Sequence, residues 1–203
     1  MKKIQHSPSQ SDQDSFVMNM LGWKTNGFYL EIGAGLYYNL SNTYVLEKEY
    51  GWNGVSLELD ASMCADFNEN RSNLCHHADA MTADYAKILA SSDAPKRIDY
   101  LQLDIDPANN TLQALKKIPL DQYRFSVVTF EHDLYNDTNN KQYKLEAYDI
   151  LTAAGYQLVV NNVSCDASGG PFEDWYVDPI AVPESVWKAA ESSDIHSSML
   201  FEK

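Results

Sequence analysis

Two glycines and three acidic residues stand where they could hold a nucleoside. The segment Phe28-Tyr29-Leu30-Glu31-Ile32-Gly33-Ala34-Gly35 reads as an apolar strand that ends in a glycine turn. Gly33 and Gly35 permit a tight turn and let a ligand approach the backbone around Ala34 without meeting a Cβ. Glu31 puts an acid at the end of this strand, where a sugar hydroxyl or an ammonium would find an acceptor and a pyrophosphate would be repelled. The dinucleotide fingerprint Gly-x-Gly-x-x-Gly needs a third glycine at position 38, which is Tyr38. The next helix is expected to start near Ser41-Asn42, with its free N–H groups and positive dipole end aimed into the same space, which adds Asn42 to the candidates. Glu58 lies 23 residues after Gly35, at the end of the next apolar run and beside Leu59. That is the expected place of a carboxylate that holds two ribose hydroxyls. Asp79, followed by Ala80, stands where an acid would meet an adenine amino group; it reads equally well as the N-cap of a helix over 82–91. Acids at these strand ends without the third glycine fit an adenosyl sulfonium, that of S-adenosylmethionine, better than a dinucleotide.

Methyl transfer from a sulfonium needs an aligned acceptor and, for an alcohol, a group that takes its proton. Two further strand ends offer such groups. One closes in Asp104-Ile105-Asp106-Pro107, where a period of two puts both carboxylates on one side, and the other in Phe130-Glu131-His132-Asp133. His132 is the expected base, because a neutral imidazole is available near neutral pH, with Asp104, Asp106 and Glu131 orienting it. Alternatively, Asp104, Glu131 and His132 with Asn161 or Asn162 would form a divalent-metal site for an acceptor diol, or the acids simply cap helices. His6, His76, His77 and His196 lack such company.

The elements that must position these groups alternate in type. Strands are expected at 28–33, 54–59, 73–78, 98–104, 124–130 and 156–163, and helices at 41–50, 62–70, 82–91, 108–117 and 138–154. Gly155 stands where a left-handed residue would end the last helix. This β-α rhythm predicts an α/β fold: a mainly parallel, Rossmann-like sheet with helices on both faces. One domain of 203 residues is expected, with a polar segment and helix over 1–26, a cofactor-binding core over 27–163, and a C-terminal strand or lid and tail over 164–203. Within the last part, Gly169-Gly170-Pro171 precedes Phe172-Glu173-Asp174-Trp175-Tyr176, which reads either as a hinged lid or as a last strand at the sheet edge.

The chain has a formal net charge of −14, with 29 acidic against 15 basic side chains. No cluster of Lys and Arg offsets this, so nucleic acid is not an expected partner and a polyanionic acceptor is disfavoured. Cys64, Cys75 and Cys165 have no Cys-x-x-Cys spacing and read as reduced thiols. With no apolar leader and no membrane-length apolar run, a cytoplasmic location without membrane association is expected.

At these residues the chain resembles the FkbM-type methyltransferase family. The resemblance rests on Ser9-Gln10 and Gln13-Asp14, the run from Gly27 to Gly35, Ser41-Asn42-Thr43 with Leu46-Glu47-Lys48, and Gly51-Trp52-Asn53-Gly54 leading into Glu58. It continues in Asp99-Tyr100-Leu101 through Asp104-Ile105-Asp106 and in Phe172 to Pro179. It implies a class I methyltransferase that moves a methyl group from S-adenosylmethionine to an acceptor oxygen, often on a sugar or secondary metabolite, with cofactor roles for Glu31, Gly33, Gly35, Glu58 and Asp79. Where the family usually continues the turn with Asp-Gly, this chain has Leu36-Tyr37, so Tyr37 and Tyr38 are expected to crowd or wall the methionine end of the pocket.

The expected function is O-methylation of a hydroxyl on a sugar, other glycan or small metabolite. The competing readings are a binding module that kept the fold and lost catalysis, and a nicotinamide-dependent oxidoreductase. The short chain leaves any cap over the acceptor to the N-terminal segment, to short loops or to a second copy of the chain.

Overall fold

The computed structural model describes residues 1–201. Strands β1 (Phe28–Ile32), β2 (Asn53–Glu58), β3 (Leu74–His77), β4 (Arg97–Leu103) and β5 (Arg124–Glu131) all run parallel, and they are followed by β6 (Gln157–Ser164), β7 (Glu173–Val177) and β8 (Ser192–His196). They form one sheet in the order β3-β2-β1-β4-β5-β7-β6-β8. The chain therefore starts near the middle, winds outward through β2 and β3, and returns through β4 and β5.

Alternation along the strands sorts side chains onto two faces. Tyr29, Tyr100, Val127, Trp175 and Val177 fall in one buried cluster. Leu30, Leu101, Val128, Phe130 and Tyr176 fall in the other. The first face is covered by α1 (Gln13–Met20), α2 (Tyr44–Lys48) and α7 (Glu184–Trp187), through Phe16, Leu46 and Trp187. The second is covered by α4 (Tyr85–Ser91), α5 (Ala108–Leu115) and α6 (Lys141–Ala153), through Leu89, Leu112 and Leu151. The remaining helix, α3 (Ala61–Asn70), buries Cys64 and Phe67 against Ala34 and Cys75. Asp60 caps α3 by accepting hydrogen bonds from the backbone N–H groups of Ser62 and Met63, and Asp84 caps α4 through Lys87. Gly155, at φ +86°, ends α6 as expected from the sequence.

The α/β, Rossmann-like reading holds, and three local expectations do not. Residues 173–177 are neither lid nor sheet edge: β7 is inserted antiparallel between β5 and β6, with every residue buried. An edge strand, β8, lies outside β6 and was not expected. The helix after the glycine turn begins at Tyr44, has five residues, and has its first N–H groups occupied, since Ser41 Oγ accepts from Thr43 N and Tyr44 N. Two of the N–H groups expected to face a ligand are thus taken by Ser41. No helix among the described residues is long and apolar enough to cross a membrane.

Burial of acids leaves a mark on stability. Burial pushes the carboxyls of Asp14 and Glu173 up to about 7 and about 8. In the folded chain both keep protons that the unfolded chain has already released, so their contribution is complete below the ordinary carboxylate range and is lost as pH rises through about 7 and 8. The protein is expected to melt at a higher temperature at about pH 5.5 than at about pH 8.5, with Glu173→Gln flattening the difference. Scanning calorimetry at the two pH values checks this, and equal melting temperatures would refute it.

Candidate active site

A cavity of about 600 Å³ opens at the C-terminal ends of β1 to β5. This is the crevice where open α/β sheets place ligands. Its floor starts at the glycine turn. Gly33 has φ +83°, and a Cβ there would stand 1.8 Å from the Asp104 carbonyl oxygen, so the close approach of β1 to β4 excludes any side chain. Gly35 has φ +56° and nothing within 4 Å of a built Cβ, which leaves its cavity side open. Gly35→Ala is therefore expected to cost ~1–2 kcal/mol for the left-handed backbone alone. Thermal denaturation of the variant, with a fall of only a few degrees, checks that reading.

Glu31 lies beneath this turn and is only 1% exposed. Thr43 Oγ1 donates to its Oε1 at 2.9 Å and Ser56 Oγ to its Oε2 at 2.6 Å. Burial raises its pKa, against the pull of the nearby Arg71 guanidinium. The exposed acceptor expected at this position is thus a buried anchor of the cavity wall. Arg71 is the hub of that anchor: its Nε donates to Glu47 Oε2 at 2.8 Å, and its two Nη groups reach Thr43, Tyr29, Ser41 and the Tyr37 carbonyl.

Glu58 reaches back over the turn, its Oε2 accepting from Gly35 N at 2.8 Å and its Oε1 from Asp60 N at 2.8 Å. Asp79 accepts from Met81 N, and α4 takes its cap from Asp84 instead, so the N-cap alternative for Asp79 falls away. Glu58, Leu59, Asp79 and Ala80 all line the cavity, as do Gly33, Ala34, Gly35 and Asn42. The N-terminal segment contributes Gln10 to the wall, and Ser9 Oγ donates to Asn42 Oδ1 at 2.8 Å.

Tyr37 and Tyr38 do not crowd the pocket. Tyr37 packs against the cluster of Ala34, Cys64, Phe67 and Cys75, and Tyr38 stacks edge-on against Tyr44 at 4.8 Å. Leu36 is the turn residue that lines the cavity.

The far end of the cavity is built from β4 and β5. Asp104, Asp106 and Glu131 converge there, together with Asp133, Gln102, Tyr135 and Asn136. Asp104 and Glu131 share a hydrogen bond; burial and the Asp104 charge drive the Glu131 pKa far upward, so Glu131 keeps its proton and donates it to Asp104. Asp133, raised by burial and by the charges of Asp106 and Asp104, titrates at about 6.

His132 is not brought to this group. Neighbouring residues on a strand point to opposite faces, and with Glu131 turned to the cavity His132 is turned away. Its side chain is fully buried, its Nδ1 accepts from Leu134 N at 3.2 Å, and its Nε2 lies 3.4 Å from Asp174 Oδ1. Asp174 is also held by Lys144, whose ammonium hydrogen-bonds Asn161 and Asn162. Every member of the expected metal set except Asp104 and Glu131 is thereby diverted, and among the described residues no three His, Cys, Asp or Glu side chains are arranged to hold a metal ion.

Among the described residues the cavity wall carries seven acidic side chains, those of Glu31, Glu58, Asp79, Asp104, Asp106, Glu131 and Asp133, and no Lys, Arg or His. Among solved structures, the chain is similar to the O-methyltransferase from Bacillus cereus in complex with SAH. The TM-score is 0.56 at 16% identity, over 82% of this chain and 80% of that one. It is also similar to a SAM dependent methyltransferase from Aquifex aeolicus, with a TM-score of 0.51 at 14% identity over 83% and 90% of the two chains. The fold is that of the class I methyltransferases. No protein-family model matches the chain, and no curated protein sequence matches it, so the resemblance to the FkbM type stands on its motifs alone.

Asp133, Gln102 and Tyr135 were not singled out from the sequence. For Asp133 the signal was present: it is two residues past Glu131, on the same side. Gln102 is legible only as a polar residue inside an otherwise apolar strand. Tyr135 sits in a loop, where no periodicity places it.

Proposed function

We propose that the chain binds S-adenosylmethionine and transfers its methyl group to a hydroxyl oxygen of a small molecule or sugar. The observation that carries this reading is the all-acidic wall around an open glycine turn. A pyrophosphate would meet seven acidic side chains, Glu58, Asp79, Asp106 and Asp133 among them, and no cation among the described residues, whereas a sulfonium and an α-ammonium are cations that such a wall attracts. This disfavours the nicotinamide-dependent alternative. In this reading Asp79 and Ala80 meet the adenine, Glu58 and Leu59 the ribose, and Gly33, Ala34, Gly35 and Asn42 the methionine end. The bound cofactor supplies an activated methyl group on a sulfonium leaving group.

The chain's own contribution is then to orient the acceptor and take its proton. Asp133 replaces His132 in that role, since it lines the cavity and its carboxyl, at about 6, is ionised at neutral pH yet more basic than an ordinary carboxylate. Asp106 hydrogen-bonds Asp133 and positions it. Asp104 and Glu131 flank them as a proton-sharing pair.

Isothermal titration with S-adenosylhomocysteine, S-adenosylmethionine and NAD tests the reading. The two adenosyl compounds are expected to bind and NAD is not. Glu58→Ala is expected to weaken the adenosyl compounds by about tenfold to a hundredfold, the range of one or two hydrogen bonds to a charged group. NAD binding without adenosylmethionine binding, or affinity untouched by Glu58→Ala, would overturn it. Adenosylmethionine binding without turnover on any hydroxylated acceptor would favour the binding-module alternative.

A further inference from the structure

The cofactor residues occupy the part of the cavity walled by β3, β2 and β1, in that order across the sheet. What remains is the β4–β5 end, walled by Gln102, Asp104, Asp106, Glu131, Asp133 and Tyr135. Elsewhere the chain neutralises several of its buried acids with cations, while Asp14 and Glu173 are each held by neutral donors. Asp178 pairs with Arg97 and Arg124, Asp174 with Lys144, and Glu47 with Arg71. At the β4–β5 end no basic side chain among the described residues does so, and the acids hydrogen-bond one another instead.

A second, independent feature points the same way. Gln102 is 2% exposed, lines the cavity, and its Oε1 has no hydrogen-bond partner among the described residues. It sits in the central strand between Glu31 and Thr129, two residues before Asp104 and therefore on the same side. A buried amide oxygen left without a donor costs ~1–3 kcal/mol, and a ligand N–H in the cavity would relieve that cost. Tyr135 completes the chamber with a half-exposed aromatic ring beside Asp133, a surface that attracts cations as the carboxylates do.

We infer that the methyl acceptor carries a protonated amine beside its hydroxyl, and that Asp104, Asp106, Asp133, Gln102 and Tyr135 form the chamber that receives the ammonium. The inference rests on the methyl-transfer reading, and it narrows the acceptor to an amino alcohol or amino sugar. A neutral polyol would leave the carboxylates uncompensated, and a phosphorylated acceptor would be repelled. Entry of the ammonium displaces the proton that the acids share, so binding releases protons to the solvent.

The test is calorimetric titration of the full chain in two steps. S-Adenosylhomocysteine is titrated first, which tests the cofactor reading by itself. The saturated protein is then titrated with two matched pairs, 2-aminoethanol against ethylene glycol and glucosamine against glucose, in two buffers of different ionisation enthalpy. In at least one pair the ammonium compound is expected to bind at least tenfold more tightly than its neutral partner, with proton release. Both Gln102→Leu and Asp133→Asn, shown to be folded by circular dichroism, are expected to reduce that preference at least fivefold. Equal binding within both pairs, no binding of either ammonium compound, or a preference that survives both substitutions would overturn the inference. So would magnesium chloride, in a separate titration, if it bound the site at submillimolar concentration and abolished the preference. Should S-adenosylhomocysteine fail to bind, the same titrations on the free protein read the ammonium chamber independently.

Discussion

Replacing Arg71 with methionine is expected to destabilise the protein by ~3–5 kcal/mol, the range for breaking a buried ion pair by removing one partner. For a chain of this size that lowers the melting temperature by roughly 6–20 °C. The size of the effect follows from what Arg71 holds. Its side chain is fully buried, pairs with Glu47, hydrogen-bonds Thr43 and Tyr29, and lies with its guanidinium 4.5 Å from the Phe67 ring centre. Thr43 in turn donates to Glu31. Methionine keeps the volume, leaves Glu31 without its nearby cation, and leaves Glu47 with only the partly exposed Lys48. Lysine is not expected to rescue the fold, because one ammonium cannot reach the five partners that the planar guanidinium joins. Glu47→Gln combined with Arg71→Met should recover part of the loss. Thermal denaturation of the three variants decides the matter: a melting temperature within 2 °C of the parent would show that the network contributes little.

Asp133→Asn is expected to lower kcat by roughly 10²–10⁴-fold, the usual contribution of a positioned base. In the parent, kcat/KM should rise with pH through about 6, as the Asp133 carboxyl ionises, and then level off. The asparagine variant should lose that rise along with the rate. His132→Gln is expected to behave differently, lowering the melting temperature while leaving the pH profile in place, since His132 packs against Asp174 and does not line the cavity. An unchanged profile in Asp133→Asn, or one abolished only in His132→Gln, would return the base to the histidine.

The contrast between these two residues illustrates what the sequence makes legible. The strands over 28–32, 53–58, 74–77, 97–103, 124–131 and 157–164 were readable within a residue or two, because apolar alternation and glycine punctuation are local signals. The glycine turn, Glu58 and Asp79 followed from knowing where strands end. Facing was harder. Glu131 and His132 are neighbours, so only one of them can point into the cavity, and that choice depends on which face of β5 meets α1 and which meets α5 and α6. It is set by contacts far away in the chain. The fate of Glu31 was hidden for the same reason: its partners Thr43, Ser56 and Arg71 belong to three separate segments. The place of Glu173–Val177 inside the sheet is the extreme case, since its neighbours β5 and β6 both precede it in the chain.

That late insertion has a consequence for biosynthesis. The ribosome delivers β5, then α6, then β6, and only afterwards the strand that must lie between the first and third. For on the order of a second or two at ordinary elongation rates, β5 and β6 exist with facing edges and nothing to fill the gap. Each edge presents a row of unpaired N–H and C=O groups, and the two can meet each other or a neighbouring nascent chain before their proper partner arrives. The cavity end that carries Glu131, paired in register with Glu173, is thus the last part to become committed, and a transcript cut short after β6 would yield a polypeptide prone to aggregate.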